Sequence, residues 1–406
     1  MNASAVASER MGRVPFSGIR EVFEQAKRSE ESGASITHIE IGRPDFDTPT
    51  HIKAAAIEAL ENGQVHYSSN RGIPELGHAI AERLERENGI QVGPETEVLV
   101  TVGCTEAVLV AFLAFLGGGD EVLVPEPSWQ MYAGCAGLAG ARPVPVPLRE
   151  ENGFELDSGD VATRITPRTK MLVLCSPHNP TGAVLDVKTL RALAGLCLEH
   201  ELLVLSDEIY DKMLYHGAKH TSIASLLGMF DRTVTINGFS KAYAMDGWRL
   251  GYAAGHRDLV RHMLKVHQHA TTCANTFAQF GAAAAYRGPQ ECVYEMVGEL
   301  DRRRRFLVEA PNDLPGVSCA TPRGAFYAFR GYEMDSRALA AYLLEEARVA
   351  CVPAGTAFGA GGEGFTRLAY SADHESIVAG TERMRVALDG IVLGLLARES
   401  KEGAKP

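Results

Sequence analysis

Between residues 95 and 255, short runs of β-branched and other apolar residues alternate with longer helical stretches, and this alternation restricts the fold more than any other feature. Strands joined through helices come back parallel to one another, so the pattern predicts β-α units building a mostly parallel α/β sheet. The clearest runs are 98–102, 121–124, 171–175, 202–206 and 233–236, with 249–253 a further strand. Several are apolar at consecutive positions, as strands covered on both faces are. Helices are expected at 105–116, directly after a glycine, and at 187–200, where Asp186 serves as N-cap. Gly117, Gly118 and Gly119 are expected to end the first of these as a C-cap and turn. Beyond about residue 295 a charged helix, strands around 317, 325–329 and 366–371, and a helix near 336–346 predict a second, smaller α+β unit. The length of 406 residues accommodates two or three units of ordinary domain size.

A formal net charge of -11 argues against a general binder of nucleic acid or anionic membrane, since both attract basic surfaces. The four arginines from 302 to 305 lie beside Glu299 and Asp301 and read as a solvated helix face. Eight cysteines are scattered without a C-x-x-C pair, which argues against a zinc cluster or disulfide scaffold and suits reduced thiols in the cytoplasm. Residues 1–20 hold no apolar core segment, and the longest apolar run, 107–116, is too short for a bilayer, so neither signal peptide nor membrane segment is expected. There is no internal repeat, and the tail 401–406 reads as frayed.

Chemistry gathers at the strand ends. Lys241 closes the stretch Asn237-Gly238-Phe239-Ser240-Lys241 and is followed eight positions later by Arg249. Loss of solvent and a nearby positive charge favour the neutral amine, the form that condenses with a carbonyl. At Gly103, Cys104 and Thr105 a strand turns directly into a helix, whose free N–H groups and dipole suit a phosphate; an ordinary capped turn accounts for these residues equally well. Asp207 and Tyr210 stand at the C-terminal end of an apolar strand, where open α/β sheets place ligands. A carboxylate there can pair with a protonated pyridine nitrogen, and the tyrosine can donate to a ring oxygen. Asn179, in Pro177-His178-Asn179-Pro180, can reach the same oxygen, while His178 between prolines reads as structural. Trp129, in Glu126-Pro127-Ser128-Trp129, offers a face either to a heteroaromatic ring or to the core.

Together with Ile41-Gly42-Arg43-Pro44-Asp45-Phe46, Gly72-Ile73-Pro74-Glu75-Leu76 and Gly324-Ala325-Phe326-Tyr327, these residues resemble the class I/II aminotransferase family of fold-type I pyridoxal-phosphate enzymes, from about residue 37 to residue 388. The resemblance implies an α/β fold with a mostly parallel seven-stranded sheet sandwiched by helices. It places a large cofactor-binding domain at 49–295, a small α+β domain at 296–406, and an arm at 1–48 that partly joins the small domain. It implies pyridoxal 5'-phosphate as cofactor and no metal. Lys241 matches the Schiff-base lysine and proton shuttle, Asp207 the partner of the pyridine nitrogen, Tyr210 and Asn179 the donors to the ring oxygen, and Trp129 the stacking aromatic. Gly103, Cys104, Thr105, Ser240 and Arg249 match the phosphate cup. Tyr67 matches a tyrosine that reaches the phosphate of a neighbouring subunit, so a homodimer is expected. Arg367 matches the arginine gripping the substrate α-carboxylate, for which a guanidinium fork is apt, with Asn179 beside it and Gly42 letting the backbone approach.

The implied reaction moves the α-amino group of an L-amino acid to a 2-oxo acid by a ping-pong route. The same cradle also supports lyase, cyclase or oxidase chemistry on an amino acid, and no cradle residue separates these outcomes. A non-catalytic sensor module would need a DNA-binding domain, for which the residues ahead of Thr37 are too few. Gly238 departs from the hydroxyl residue common at its position, and the expectation is one phosphate contact fewer. Arg43 and Asp246 also stand at variable positions near the implied site, and Arg43, Arg71 or an arginine of a partner subunit could read a second substrate carboxylate. Residues 359–364 spell a G-x-G-x-x-G pattern without the strand before and helix after that dinucleotide binding requires, and read as a flexible loop near the substrate entrance.

Overall fold

A computed structural model describes residues 6–309 and 316–402, with side chains through residue 390. From the N-terminus its elements are α1 (Gly18–Glu31), β1 (Thr37–His38), α2 (Thr50–Glu61), α3 (Pro74–Arg83), β2 (Val98–Thr101), α4 (Gly103–Phe115), β3 (Glu121–Glu126), α5 (Met131–Ala139) and β4 (Arg142–Pro147). There follow α6 (Ser158–Ala162), β5 (Thr169–Cys175), α7 (Val187–Glu199), β6 (Leu203–Asp207), β7 (Thr233–Gly238), β8 (Gly251–Ala254), α8 (Arg257–Ala270), α9 (Thr276–Arg287) and α10 (Glu291–Glu309). The chain continues through β9 (Val317–Cys319), β10 (Tyr327–Tyr332), α11 (Ser336–Glu346), β11 (Val349–Ala350), β12 (Val352–Pro353), α12 (Ala354–Ala357), β13 (Phe365–Ala369) and α13 (His374–Glu402).

Seven strands form one sheet in the order β2-β8-β7-β6-β5-β3-β4, mostly parallel, with β8 antiparallel to both of its neighbours. Cys175, Asp207 and Ile236 lie side by side in register, so β5, β6 and β7 deliver the residues that follow them to one edge. The interior strands β5, β6 and β7, and the edge strand β2, are buried almost throughout because helices cover both faces, which is why their sequences are continuous apolar runs. A second sheet, β12-β13-β10-β9, is antiparallel, and β1 pairs in parallel with β11.

Several local expectations are corrected. Strand β4 was not anticipated: it carries three prolines, and it lies at the sheet edge, where a missing N–H costs no ladder bond. Arg249 is not in a strand: it takes a left-handed conformation (φ 55°) and β8 begins two residues later. Helix α4 begins at Gly103 and ends at Phe115, and its C-cap is an extended Leu116; the glycines form the following turn, closed by Asp120, whose carboxylate accepts from the Gly117 N–H. The arginine run is only half solvated. Arg303 and Arg304 are buried, the first bridging Glu299 and Asp45, the second forked onto Asp301 with its guanidinium 5.0 Å from the Tyr215 ring. The 359–364 loop is held rather than loose: Glu126 Oε1 accepts from Gly361 N–H at 3.0 Å, and Glu363 accepts from Ser336 N–H at 2.8 Å. Helix α13 runs to Glu402, so residues 401 and 402 are helical, and the rest of the tail read as frayed lies outside the described residues.

Candidate active site

A cavity of about 470 Å³ opens at the carboxyl ends of the parallel strands, a volume within the range that holds a small cofactor and substrate. Gly42, Cys104, Thr105, Trp129, Asn179, Asp207, Tyr210, Ser240, Lys241, Arg249 and Arg367 all line it. Lys241 stands three residues beyond β7, and its Nζ donates to the Gly42 carbonyl at 2.6 Å, beneath the rings of Phe326 and Tyr210 at 5.6 and 6.0 Å. Burial pushes its amine down to about 8; Arg367 and Arg249 act in the same direction, while Asp246 and Cys104 oppose.

Asp207 ends β6 and is buried, which raises its carboxyl to about 6, although Tyr132 donates to its Oδ2 at 2.8 Å and so favours the charge. Tyr132 was not anticipated. The available signal was its position three residues after Trp129, one turn along the chain, where α5 brings it under the same site. Trp129 stands edge-on to Tyr132 at 5.6 Å. The Tyr210 hydroxyl is 2.7 Å from that of Tyr327.

Arg367, on β13, is 1% exposed. Its Nη1 donates to Asn179 Oδ1 at 3.2 Å and its Nη2 to the Glu40 carbonyl at 2.5 Å, with the Tyr327 and Phe358 rings 4.4 and 5.1 Å from the guanidinium carbon. Among the described residues no carboxylate pairs with it and its Nε has no partner, so a buried cation faces the cavity without a bonded anion. Such a charge is costly unless an anion enters. Gly42 has a steric requirement of its own: a Cβ there would run into the Tyr327 hydroxyl.

At the cup, Gly103 adopts φ +74°, and a Cβ on it would fall 2.6 Å from Arg249 Nη2, so the backbone and the guanidinium approach as closely as a glycine permits. Glu106 folds back to accept the Val102 N–H at 2.5 Å and is held by His267 and Thr271 at 2.7 and 2.8 Å, which fixes the turn before the free amides of α4. Gly238, where a hydroxyl residue is common in the family, is set by steric room. A Cβ there would lie 2.9 Å from Gly251 Cα and 3.0 Å from both Cys104 Sγ and the Leu250 carbonyl, so the position has no room for a hydroxyl side chain. Gly238→Ser is accordingly expected to lower stability by about 1–3 kcal/mol through overpacking. Denaturant titration checks this, and unchanged stability would contradict it.

Tyr67 is 87% exposed and does not line this cavity. His178 lies outside it as well, bonded to Thr181 at 2.8 Å, with burial pushing its imidazole down to about 3. Asp246 lines the cavity, whereas Arg43 and Arg71 do not; Arg71 donates to the Thr96 carbonyl.

The sequence profile of the family described as aminotransferase class I and II matches residues 35–381. The chain belongs to the class I and II aminotransferases. An aspartate aminotransferase of Pyrococcus abyssi is 43% identical over 94% of this chain and 98% of its own length. The aromatic-amino-acid aminotransferase 2 of Thermococcus litoralis is 42% identical over the same shares. Among solved structures, an aspartate aminotransferase from Thermus thermophilus with maleate superposes with a TM-score of 0.88 at 39% identity, covering 94% of this chain and 99% of that one. An aromatic aminotransferase from Pyrococcus horikoshii gives 0.86 at 43%, covering 91% and 100%.

This aminotransferase is a fold-type I enzyme that uses pyridoxal phosphate for transamination. The side chains present fit the cofactor. The glycine turn and helix N-terminus beside Arg249 and Ser240 suit its phosphate, the buried Asp207 suits a cationic ring nitrogen, and the lowered amine of Lys241 suits its aldehyde.

Proposed function

We propose that Lys241 is the attachment point of the cofactor and the proton shuttle of the transamination, and that Arg367 clamps the substrate α-carboxylate. The observation that carries this reading is the buried, unpaired guanidinium of Arg367 in one cavity with a lysine whose amine is held near 8. Gly103, Cys104, Thr105, Ser240 and Arg249 would hold the phosphate, Asp207 would pair with the ring nitrogen, Asn179 and Tyr210 would donate to the ring oxygen, and Trp129 would stack on the ring. When bound, the cofactor supplies an electron sink for the charge left when the substrate α-proton departs. The neutral Lys241 Nζ takes that proton as a base and returns it as an acid, a task suited to an amine with pKa near the working pH. Tyr132 keeps the Asp207 carboxylate oriented, and the phenyl and phenol rings of Phe326 and Tyr210 keep water from the lysine.

The pH dependence follows. Capture of pyridoxal phosphate by the apoprotein is expected to speed up with rising pH around a midpoint of about 8, because the neutral amine reacts. Asp246→Asn removes the foremost charge that favours the ammonium, so the midpoint moves down; stopped-flow absorbance checks it, and an upward move would sink the assignment.

For substrates, the names of the relatives support aspartate and aromatic amino acids as donors with 2-oxo acids as acceptors. Arg20, at the first turn of α1, is the further arginine on the cavity wall, and a guanidinium pairs with a carboxylate or stacks on a ring. A panel of amino donors assayed against 2-oxoglutarate and pyruvate tests this reading: activity confined to small aliphatic donors would reject it.

We further propose a homodimer in which Tyr67 serves the neighbouring site, supported by the exposure of Tyr67 together with Ile57, Leu60 and Val65. Division into 49–295 and 296–406, with 1–48 as an arm, is supported by the two sheets falling on either side; helix α10 crosses the boundary, and β1 joins the arm to β11. A cytoplasmic location is supported by eight free cysteines. No described helix is long and apolar enough to cross a membrane.

A further inference from the structure

Glu40 is fully buried, yet its Oε2 has no hydrogen-bond partner. The other oxygen, Oε1, lies 2.7 Å from Nδ1 of His38, whose Nε2 lies 3.1 Å from Glu30 on α1. Beside Glu40 is a second cation, Arg367, but the bond between them runs from Nη2 to the Glu40 backbone carbonyl and leaves the carboxylate unused. The Glu40 carboxylate is foremost in holding His38 up to about 9, so the imidazole is charged at neutral pH, and the charge of Glu40 also acts on Arg367. Glu40 therefore adjoins two cations, bonded through its side chain to His38 and through its backbone carbonyl to Arg367.

A carboxylate offered a guanidinium pairs with it in preference to an imidazole, because two parallel N–H···O bonds form at once. An unpaired, buried oxygen adds a drive toward any donor in reach. The substrate α-carboxylate and Glu40 are thus rivals for one arginine.

We propose that His38 is a positioning residue for the carboxylate clamp: by holding Glu40 it keeps that side chain from turning onto Arg367 and filling the fork the substrate must enter. The inference rests on the reading of Arg367 as that clamp. The same histidine ties in α1 through Glu30, and the N-terminal end of α1 supplies Ser17, Ile19 and Arg20 to the cavity wall. Clamp and wall are held through one side chain.

The test uses the holoenzyme. His38→Ala is expected to raise KM for both amino acid and 2-oxo acid about tenfold while kcat and the capture of pyridoxal phosphate stay near wild type. Adding Glu40→Gln to His38→Ala is expected to restore KM, because an amide brings no charge to compete; a purely structural role for His38 would not be rescued by it. Glu40→Gln alone leaves KM unchanged or lower. The inference is overturned if His38→Ala leaves KM unaltered, if the double variant does not recover, or if Glu40→Gln by itself raises KM, which would mean Glu40 supports the clamp. Should His38→Ala fail to fold, the single Glu40→Gln variant decides on the same criterion. The underlying reading is checked separately: if Arg367→Lys leaves KM untouched, the clamp assignment fails, whatever His38 does.

Discussion

Lys241→Ala is expected to leave a folded protein that no longer transaminates. Removing a positioned acid and base alone costs roughly 10²–10⁴ in rate, and here the same nitrogen also anchors the cofactor, so turnover should fall by at least about 10⁴. Stability should not suffer. Among the described residues the one hydrogen bond of Nζ is to the Gly42 carbonyl, and the amine is enclosed in a site that disfavours its charge. The sign is set by a folded value near 8, below the ordinary lysine value of 10.5: the penalty of up to about 3 kcal/mol is full below pH 8 and vanishes once the pH passes the unfolded value. Apo Lys241→Ala should therefore melt at or above the apo wild type at pH 7. Normal turnover in this variant, or a collapse of its melting temperature, would refute the assignment.

Arg367→Ala should raise KM for every amino acid and 2-oxo acid by about 30-fold or more, since truncating one member of a buried charge pair costs roughly 2–5 kcal/mol. Arg367→Lys keeps the charge but loses the planar fork, and a point charge on a flexible stem cannot replace two parallel bonds, so it should recover only part of the loss. The discriminating measurement compares an amino acid with the corresponding amine that lacks the carboxylate. Wild type and Arg367→Ala should differ strongly on the first and little on the second; equal losses on both would place the effect elsewhere than at the carboxylate.

How much of this was legible in the chain depends on the range of the interaction concerned. The parallel sheet could be read because burial on both faces demands unbroken apolar runs such as those of β5 and β6. Asp207, Asn179 and Lys241 could be singled out because each stands at the end of such a run or a few residues beyond it, and the end of a strand is a local property. Strand β4 was hidden by its prolines, since sequence cannot say which strand will lie at an edge. Arg303 and Arg304 looked solvated because their anionic partner Asp45 and the ring of Tyr215 are remote in sequence.

The chain by itself determined the β-α alternation, the order of the cradle residues and the chemical types available at each strand end, because these follow from periodicity and neighbours within a few positions. Only the tertiary structure decided that Gly238 has no space for a side chain against Gly251 and Cys104, that Tyr132 reaches Asp207, and that Glu40 adjoins both His38 and Arg367. The reason is physical: burial, steric room and the balance of charge around one atom are sums over neighbours supplied by distant segments, and those sums exist only once the segments are packed together.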